Sequence, residues 1–519
     1  MLNRTAGCGG RGYDCAVNAV GSVSTVLSRA PSGLAAPVVR VEVHLGPGLP
    51  AFHLVGLPEA VVRESRERVR SAVLTSGFDF PAGRITVNLS PADLPKEGGR
   101  FDLPIAVGIL AASGQLNARA VRRREFYGEL ALTGELRETP KLLPALIAGA
   151  RTESELILPA ANALEASWVA GPKIRLARHL REVCSALSGQ AALQAAEPLP
   201  PGSAGPLPDL ADVRGQYSAK RALEIAAAGG HGMLLIGPPG SGKTLLAQRL
   251  PGLLPALDAN EALEVASLES AAGRRPSLGN RRPFRSPQHT ASVAALIGGG
   301  ALKPGELSLA HLGVLFLDEF PEFAHNALEA LREPLESGVV LVCRAKRTCE
   351  FPARFQLVAA MNPCPCGYAG ERSGRCRCTA EQVSRYRNRI SGPLIDRIDM
   401  HVELSTVPAE QLLSDEPLAA ESSAAVAARV AAAQAVQRQR QGKINSRLTA
   451  AEVGAVCGLS REARVLIVTA IARLRLSARA YHRVLKLART CADLAGESQI
   501  RCSDISEAVR LRALDRATC

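Results

Sequence analysis

Two early segments alternate apolar and polar residues, Val38-Val-Arg-Val-Glu-Val-His44 and Arg84-Ile-Thr-Val-Asn-Leu89. A period of two predicts strands with one buried face. Pro58 to Ser76 has helical spacing, and residues 101–113 read as an apolar helix. The alternation then stops at Glu197–Asp209, where five of thirteen residues are proline. Such a stretch is an extended linker. Beyond it lie runs that are almost wholly apolar: Met233–Ile236, Gly313–Leu317 and Phe355–Met361. A strand buried on both faces of a parallel sheet has this pattern. From about residue 420 the chain is rich in Ala, Arg and Leu and predicts helices. The expected order is an extension (1–20), an α+β domain (21–192), a linker (193–212), an α/β core (213–405) and a helical region (406–519).

Composition narrows the class. At 519 residues and 47% hydrophobic content the chain can build several cores and is not disordered overall. No run approaches 18 apolar residues, and residues 1–20 hold no apolar signal core. A loose extension and a cytoplasmic, membrane-free protein are the expectation. Thirteen cysteines, an odd number and mostly scattered, suit a reducing compartment. Residues 440–519 carry 15 Lys/Arg against 7 Asp/Glu, so this tail supplies +8 of the net +13. A basic tail suits a polyanion, with nucleic acid first. Aromatics are only 3%, which favours contacts to the phosphate backbone over base stacking.

The chemistry begins at Gly237-Pro238-Pro239-Gly240-Ser241-Gly242-Lys243-Thr244, which fits G-x-x-x-x-G-K-[ST] at every fixed position. A strand precedes it, and Leu245–Leu250 predicts a helix that stops at Pro251. The glycines let backbone N–H groups turn toward phosphate oxygens, and the helix N-terminus adds partial positive charge. Lys243 would reach the β- and γ-phosphates and Thr244 would ligate Mg²⁺. The second apolar run delivers Asp318 toward the metal and Glu319 toward the attacking water. The third ends in Asn362, which could orient the same water.

These three segments resemble Walker A, Walker B and sensor 1 of an AAA+ ATPase. Ile390-Ser-Gly-Pro-Leu-Ile-Asp-Arg-Ile-Asp399 is similar to the arginine-finger motif of the magnesium-chelatase and MCM-helicase branch. On that match Arg397 serves a neighbouring subunit's site, which implies a homo-oligomeric ring, a hexamer. Ser477–Arg483 resembles the sensor 2 region, with Arg479 the better match and Arg483 the reserve. Pro91–Pro104, Arg285-Ser-Pro-Gln-His-Thr290 and Asn362-Pro-Cys-Pro-Cys-Gly367 occur together, as in the magnesium-chelatase-like YifB/ComM family. The likeness runs from about residue 21 to 515. It implies ATP and Mg²⁺ as cofactors. It also implies a DNA helicase that drives branch migration in natural transformation, on single-stranded or branched DNA.

The first domain resembles the Lon protease fold, related to ribosomal protein S5 domain 2. The Lon serine should follow Pro95-Lys-Glu-Gly-Gly99, where Arg100 stands, and its lysine falls at Leu143, with Lys141 close by. Neither Arg100 nor Leu143 can serve as nucleophile or base, so no peptidase activity is expected. Cys364, Cys366, Cys376 and Cys378 place four thiols within fifteen residues, a donor set suited to tetrahedral Zn²⁺. Glu336–Phe351 reads as a β-hairpin with Arg344, Lys346 and Arg347 near its turn. In this AAA+ branch such a hairpin faces the pore, where a basic tip could grip DNA phosphates. The Arg281–Gly300 insert is a second pore-loop candidate. The alternative readings are a chelatase motor for Mg²⁺ insertion into porphyrin and an ATP-dependent protease; Arg100 and Leu143 oppose the latter.

Overall fold

The computed structural model describes residues 22–56, 62, 64–169, 173–198, 205, 207–300, 302–344, 347–370, 374–406, 421–474, 476–512 and 514, with backbone only at 344 and 347. The chain divides into two compact units, residues 1–199 and 200–519.

The first unit is built on a mixed eight-stranded sheet. Ser22–Arg29 pairs antiparallel with Val38–Gly46, which pairs antiparallel with Arg84–Ser90. Val39, Val41 and Val43 are fully buried, as their alternation requires. They pack under the helix Asp102–Ala112, which is buried at every position. Of the helix expected over Pro58 to Ser76, the described part is helical. It runs Ser65–Thr75, and most of 57–63 lies outside the described residues. The segment expected as a linker differs at its ends. Gln194 and Ala195 pair with Leu176 and Arg175 as an edge strand, and Leu210 is buried in the second unit.

The second unit holds a five-stranded, all-parallel sheet in the order Phe284–Arg285, Val314–Leu317, Gln356–Met361, Met233–Ile236, Met400–Glu403. All residues of the three central strands are buried. Each fully buried Leu or Ile contributes about 1.5–3 kcal/mol of apolar burial. Gln356–Met361 lies between the phosphate-loop strand and Val314–Leu317, so the groups at the ends of all three share one edge. The edge strand Phe284–Arg285 comes from the segment expected as a pore-loop insert. That segment is therefore partly core, because Phe284 and Arg285 pair with Val314 and Leu315.

The helix after the phosphate loop runs Lys243–Leu253 and passes through Pro251, where it was expected to stop. Proline removes one ladder bond and crowds the carbonyl four residues back, and this helix ends two residues later. The C-terminal helices Ser423–Gln441, Ala450–Val456, Arg461–Leu474, Ala478–Leu494 and Cys502–Arg510 share one apolar core with the sheet. Asp493 anchors them, accepting from Arg440 at 2.6 and 2.9 Å, Arg489 at 3.0 Å and Asn445 at 2.8 Å. No described helix is long and apolar enough to cross a membrane.

Candidate nucleotide site and thiol cluster

The phosphate loop turns between the strand Met233–Ile236 and the helix Lys243–Leu253. Gly242 caps that helix at φ 89°, a left-handed conformation that costs glycine nothing. The loop therefore enters its helix with N–H groups of the first turn unpaired. Lys243 Nζ donates to the Gly237 and Pro238 carbonyls at 2.6 and 3.0 Å, and to Asn362 Oδ1 at 3.0 Å. Burial pulls the Lys243 pKa down and the nearby Asp318 carboxylate raises it, with burial the larger effect. Thr244 Oγ1 donates to Asp318 Oδ2 at 2.9 Å. Three separate strands thus bring Lys243, Thr244, Asp318 and Asn362 together. The Ser241 hydroxyl is buried in the loop with no partner among the described residues. A cationic amine on carbonyls, an orphan hydroxyl and a hydroxyl–carboxylate pair fit the phosphates and hard divalent cation of a nucleotide.

Glu319 sits just past its strand at φ 52°, outside the comfortable range for a residue with a side chain. Its Oε2 lies 3.0 Å from Nδ1 of His289. His289 was not singled out in the sequence as a site residue. Its only signal was membership in Arg285–Thr290, and the contact became visible once the edge strand placed that segment beside Asp318–Glu319.

The arginines differ from one another. Arg397 is not presented openly. Its guanidinium pairs with Glu336 at 2.7 Å and donates to the Pro393 carbonyl at 2.7 Å, and its side chain is only 9% exposed. Arg483 is committed to the buried Asp399, which also contacts His231 Nδ1 at 3.2 Å. Burial pushes the Asp399 carboxyl up, but the Arg483 guanidinium and the hydrogen bond to His231 hold it below the usual carboxylate range. Arg479 is exposed at the start of Ala478–Leu494. The strands Val339–Arg344 and Arg347–Pro352 form the expected antiparallel hairpin, closing on the pair Arg344–Arg347. Lys346 and the side chains of Arg344 and Arg347 lie outside the described residues.

Two residues past Asn362 the four cysteines converge. Sγ of Cys364 is 3.3 Å from Cys366 and 3.8 Å from Cys376, and Cys366 to Cys376 is 3.7 Å. Cys378 completes the set, with all four sulfurs within 4.8 Å of one another. All four are free thiols. The Ala369 backbone N–H donates to Cys364 Sγ at 3.3 Å.

In the first unit Arg100 is buried, and burial lowers its pKa to about 10. It donates to the Pro140 carbonyl at 2.6 Å. Lys141 Nζ is held by Glu97 at 2.9 Å, and Leu143 is fully buried at the start of a helix. None of the three forms a nucleophile–base pair.

Residues 209–412 match the family described as magnesium chelatase, subunit ChlI. Residues 41–162 match subunit ChlI of Mg-chelatase, and 420–512 match the ChlI C-terminal family. The chain is 49% identical over 504 residues to competence protein ComM of Haemophilus influenzae, covering 95% of this chain and 98% of that protein. It is 48% identical over 499 residues to the uncharacterized protein YifB of Escherichia coli, with the same coverage. A shorter likeness, 27% over 190 residues, is to DNA helicase MCM8 of Rattus norvegicus and covers 36% of this chain and 20% of that protein.

Proposed function

This chain belongs to the ComM/YifB family of magnesium-chelatase-like AAA+ proteins, and we propose that it is an ATP-driven ring motor that moves on DNA. One observation carries the reading. Two hydrogen-bonded pairs, Lys243 with Asn362 and Thr244 with Asp318, meet at the edge where the ends of three adjacent strands converge. The competence relative, the partial likeness to a DNA helicase and the basic C-terminal region support DNA as the track.

Gly237, Pro238, Pro239, Gly240, Ser241 and Gly242 wrap the phosphates of ATP, and Lys243 exchanges its two carbonyl partners for phosphate oxygens. Thr244 and Asp318 would hold Mg²⁺, which supplies charge neutralisation across the phosphates. Glu319 leaves His289 and accepts a proton from the attacking water, while Asn362 fixes that water's direction. Arg397 leaves Glu336 to meet charge developing on the phosphoryl group in the neighbouring subunit's site. Arg479, free of the Asp399 pairing that holds Arg483, reaches the nucleotide from the C-terminal helices. We read residues 213–405 as the AAA+ core and 406–519 as its helical lid. Arg344, Lys346 and Arg347 at the hairpin tip grip DNA phosphates. Cys364, Cys366, Cys376 and Cys378 hold Zn²⁺. The first unit is a Lon-like domain without the Ser–Lys pair, serving assembly or DNA handling.

The test is strand displacement on a three-strand DNA junction with ATP, with Lys243→Ala as control. Displacement by the wild type and none by the variant is expected. ATP hydrolysis indifferent to any DNA would overturn the reading. The family descriptions favour one second reading, a chelatase motor, and porphyrin metallation in a reconstituted assay would reveal it.

A further inference from the structure

The thiol cluster sits against the catalytic edge. Asn362, Pro363 and Cys364 are consecutive, so the residue bonded to Lys243 is two residues from the first sulfur. The turn that carries Cys364 and Cys366 continues to Gly367, whose φ is 90°. A Cβ there would lie 2.7 Å from Pro239 Cδ and 2.9 Å from its Cγ, so this backbone rests directly on the phosphate loop. The other pair of thiols leads elsewhere. Cys378 is followed by Thr379, which caps the helix Ala380–Arg387 through Gln382. That helix carries the buried Tyr386, whose hydroxyl lies near the Asn362 backbone. The next residues of the chain carry Ser391, Pro393 and Arg397.

The sulfur geometry suits one small ion. Zn–S bonds of about 2.3 Å at the tetrahedral angle put thiolate sulfurs about 3.8 Å apart. The three separations among Cys364, Cys366 and Cys376 are 3.3, 3.7 and 3.8 Å, and Cys378 Sγ lies within 4.8 Å of each. A disulfide needs sulfurs about 2.05 Å apart. The Ala369 N–H on Cys364 Sγ and the flanking Arg375 and Arg377 offset the charge of four thiolates.

We infer that the tetrathiolate metal site is a brace for ATP binding: Zn²⁺ joins the turn resting on Pro239 to the helix that leads to Arg397, so metal occupancy regulates nucleotide affinity. The inference rests on reading the four thiols as a zinc site and the loop at 237–244 as the nucleotide site. The segment between Cys366 and Cys376 contains Gly367, Gly370 and Gly374, all at positive φ. Without the metal, the two strands of the turn separate, and Pro239 and Asn362 lose their common support.

The experiment uses the full chain purified in reductant without chelator. Zinc per chain is measured by mass spectrometry, and mant-ATP affinity by fluorescence. Both are repeated after stripping with a zinc-selective chelator and after zinc is restored. About one zinc per chain is expected, with mant-ATP binding weakened about tenfold or more on stripping and recovered on restoration. Gly367→Ala should keep its zinc and still lose affinity, because its Cβ pushes Pro239 away. Affinity within about twofold after complete zinc loss, or wild-type affinity in Gly367→Ala, would overturn the brace and leave the zinc site standing. Absence of zinc would overturn both. A wild type that retains zinc but never binds mant-ATP would overturn the brace together with the motor reading.

Discussion

His289→Ala isolates the contact that holds Glu319. The two side chains are 3.0 Å apart and are 43% and 56% exposed. At that exposure water screens the pair, and its worth is about 0.2–1 kcal/mol. Removing it should shift the population of released Glu319 by about 1.5- to 5-fold. If the contact is a resting hold, DNA-independent ATP hydrolysis rises by that factor. The melting temperature should move by no more than about 2 °C, since little stability is lost. Phosphate release at saturating ATP, without nucleic acid, reads the rate directly. Glu319→Gln provides the background in which His289→Ala has nothing left to release. A fall of about 100-fold would show that His289 takes part in proton transfer, and the hold would be refuted. An unchanged rate would refute it equally.

Three further outcomes are expected. Arg397→Ala should lower turnover by about 10³-fold with mant-ATP binding retained, and mixing with Glu319→Gln chains should restore part of the activity, because each supplies what the other lacks; full turnover in the variant, or no recovery on mixing, would exclude a finger acting between subunits. Asp493→Ala leaves Arg489, whose side chain is 2% exposed, without its carboxylate. It should cost about 3–5 kcal/mol in urea unfolding, and a loss below about 1 kcal/mol would contradict the network's role. In the first unit burial lifts the Glu165 carboxyl from 4.5 to about 7. A raised folded pKa favours the folded state fully below 4.5, and that contribution is lost as pH rises through about 7. Glu165→Gln should therefore gain melting temperature relative to wild type between pH 5 and 8, and a difference that stays flat with pH would remove Glu165 as the cause.

Much of this protein was fixed by local sequence. The phosphate loop needs its glycines and its Lys-Thr at fixed offsets, so Gly237–Thr244 is readable without coordinates. A strand buried on both faces is apolar wherever no partner satisfies a polar group, which marked Met233–Ile236, Val314–Leu317 and Leu357–Met361 and the polar groups at their ends. Four thiols within fifteen residues announced a donor set by proximity alone. Contacts between distant segments left no such trace. His289 meets Glu319 because a two-residue edge strand pairs beside Val314–Leu317, and two residues carry no periodicity. The motif ranks Arg479 above Arg483 without giving either a partner; buried Asp399 binds Arg483, and only the fold places that carboxylate. Gly367 reads as an ordinary turn glycine until Pro239 is found against it. Sequence periodicity records which face of an element is buried; which partner it meets depends on how far the chain has travelled before it returns.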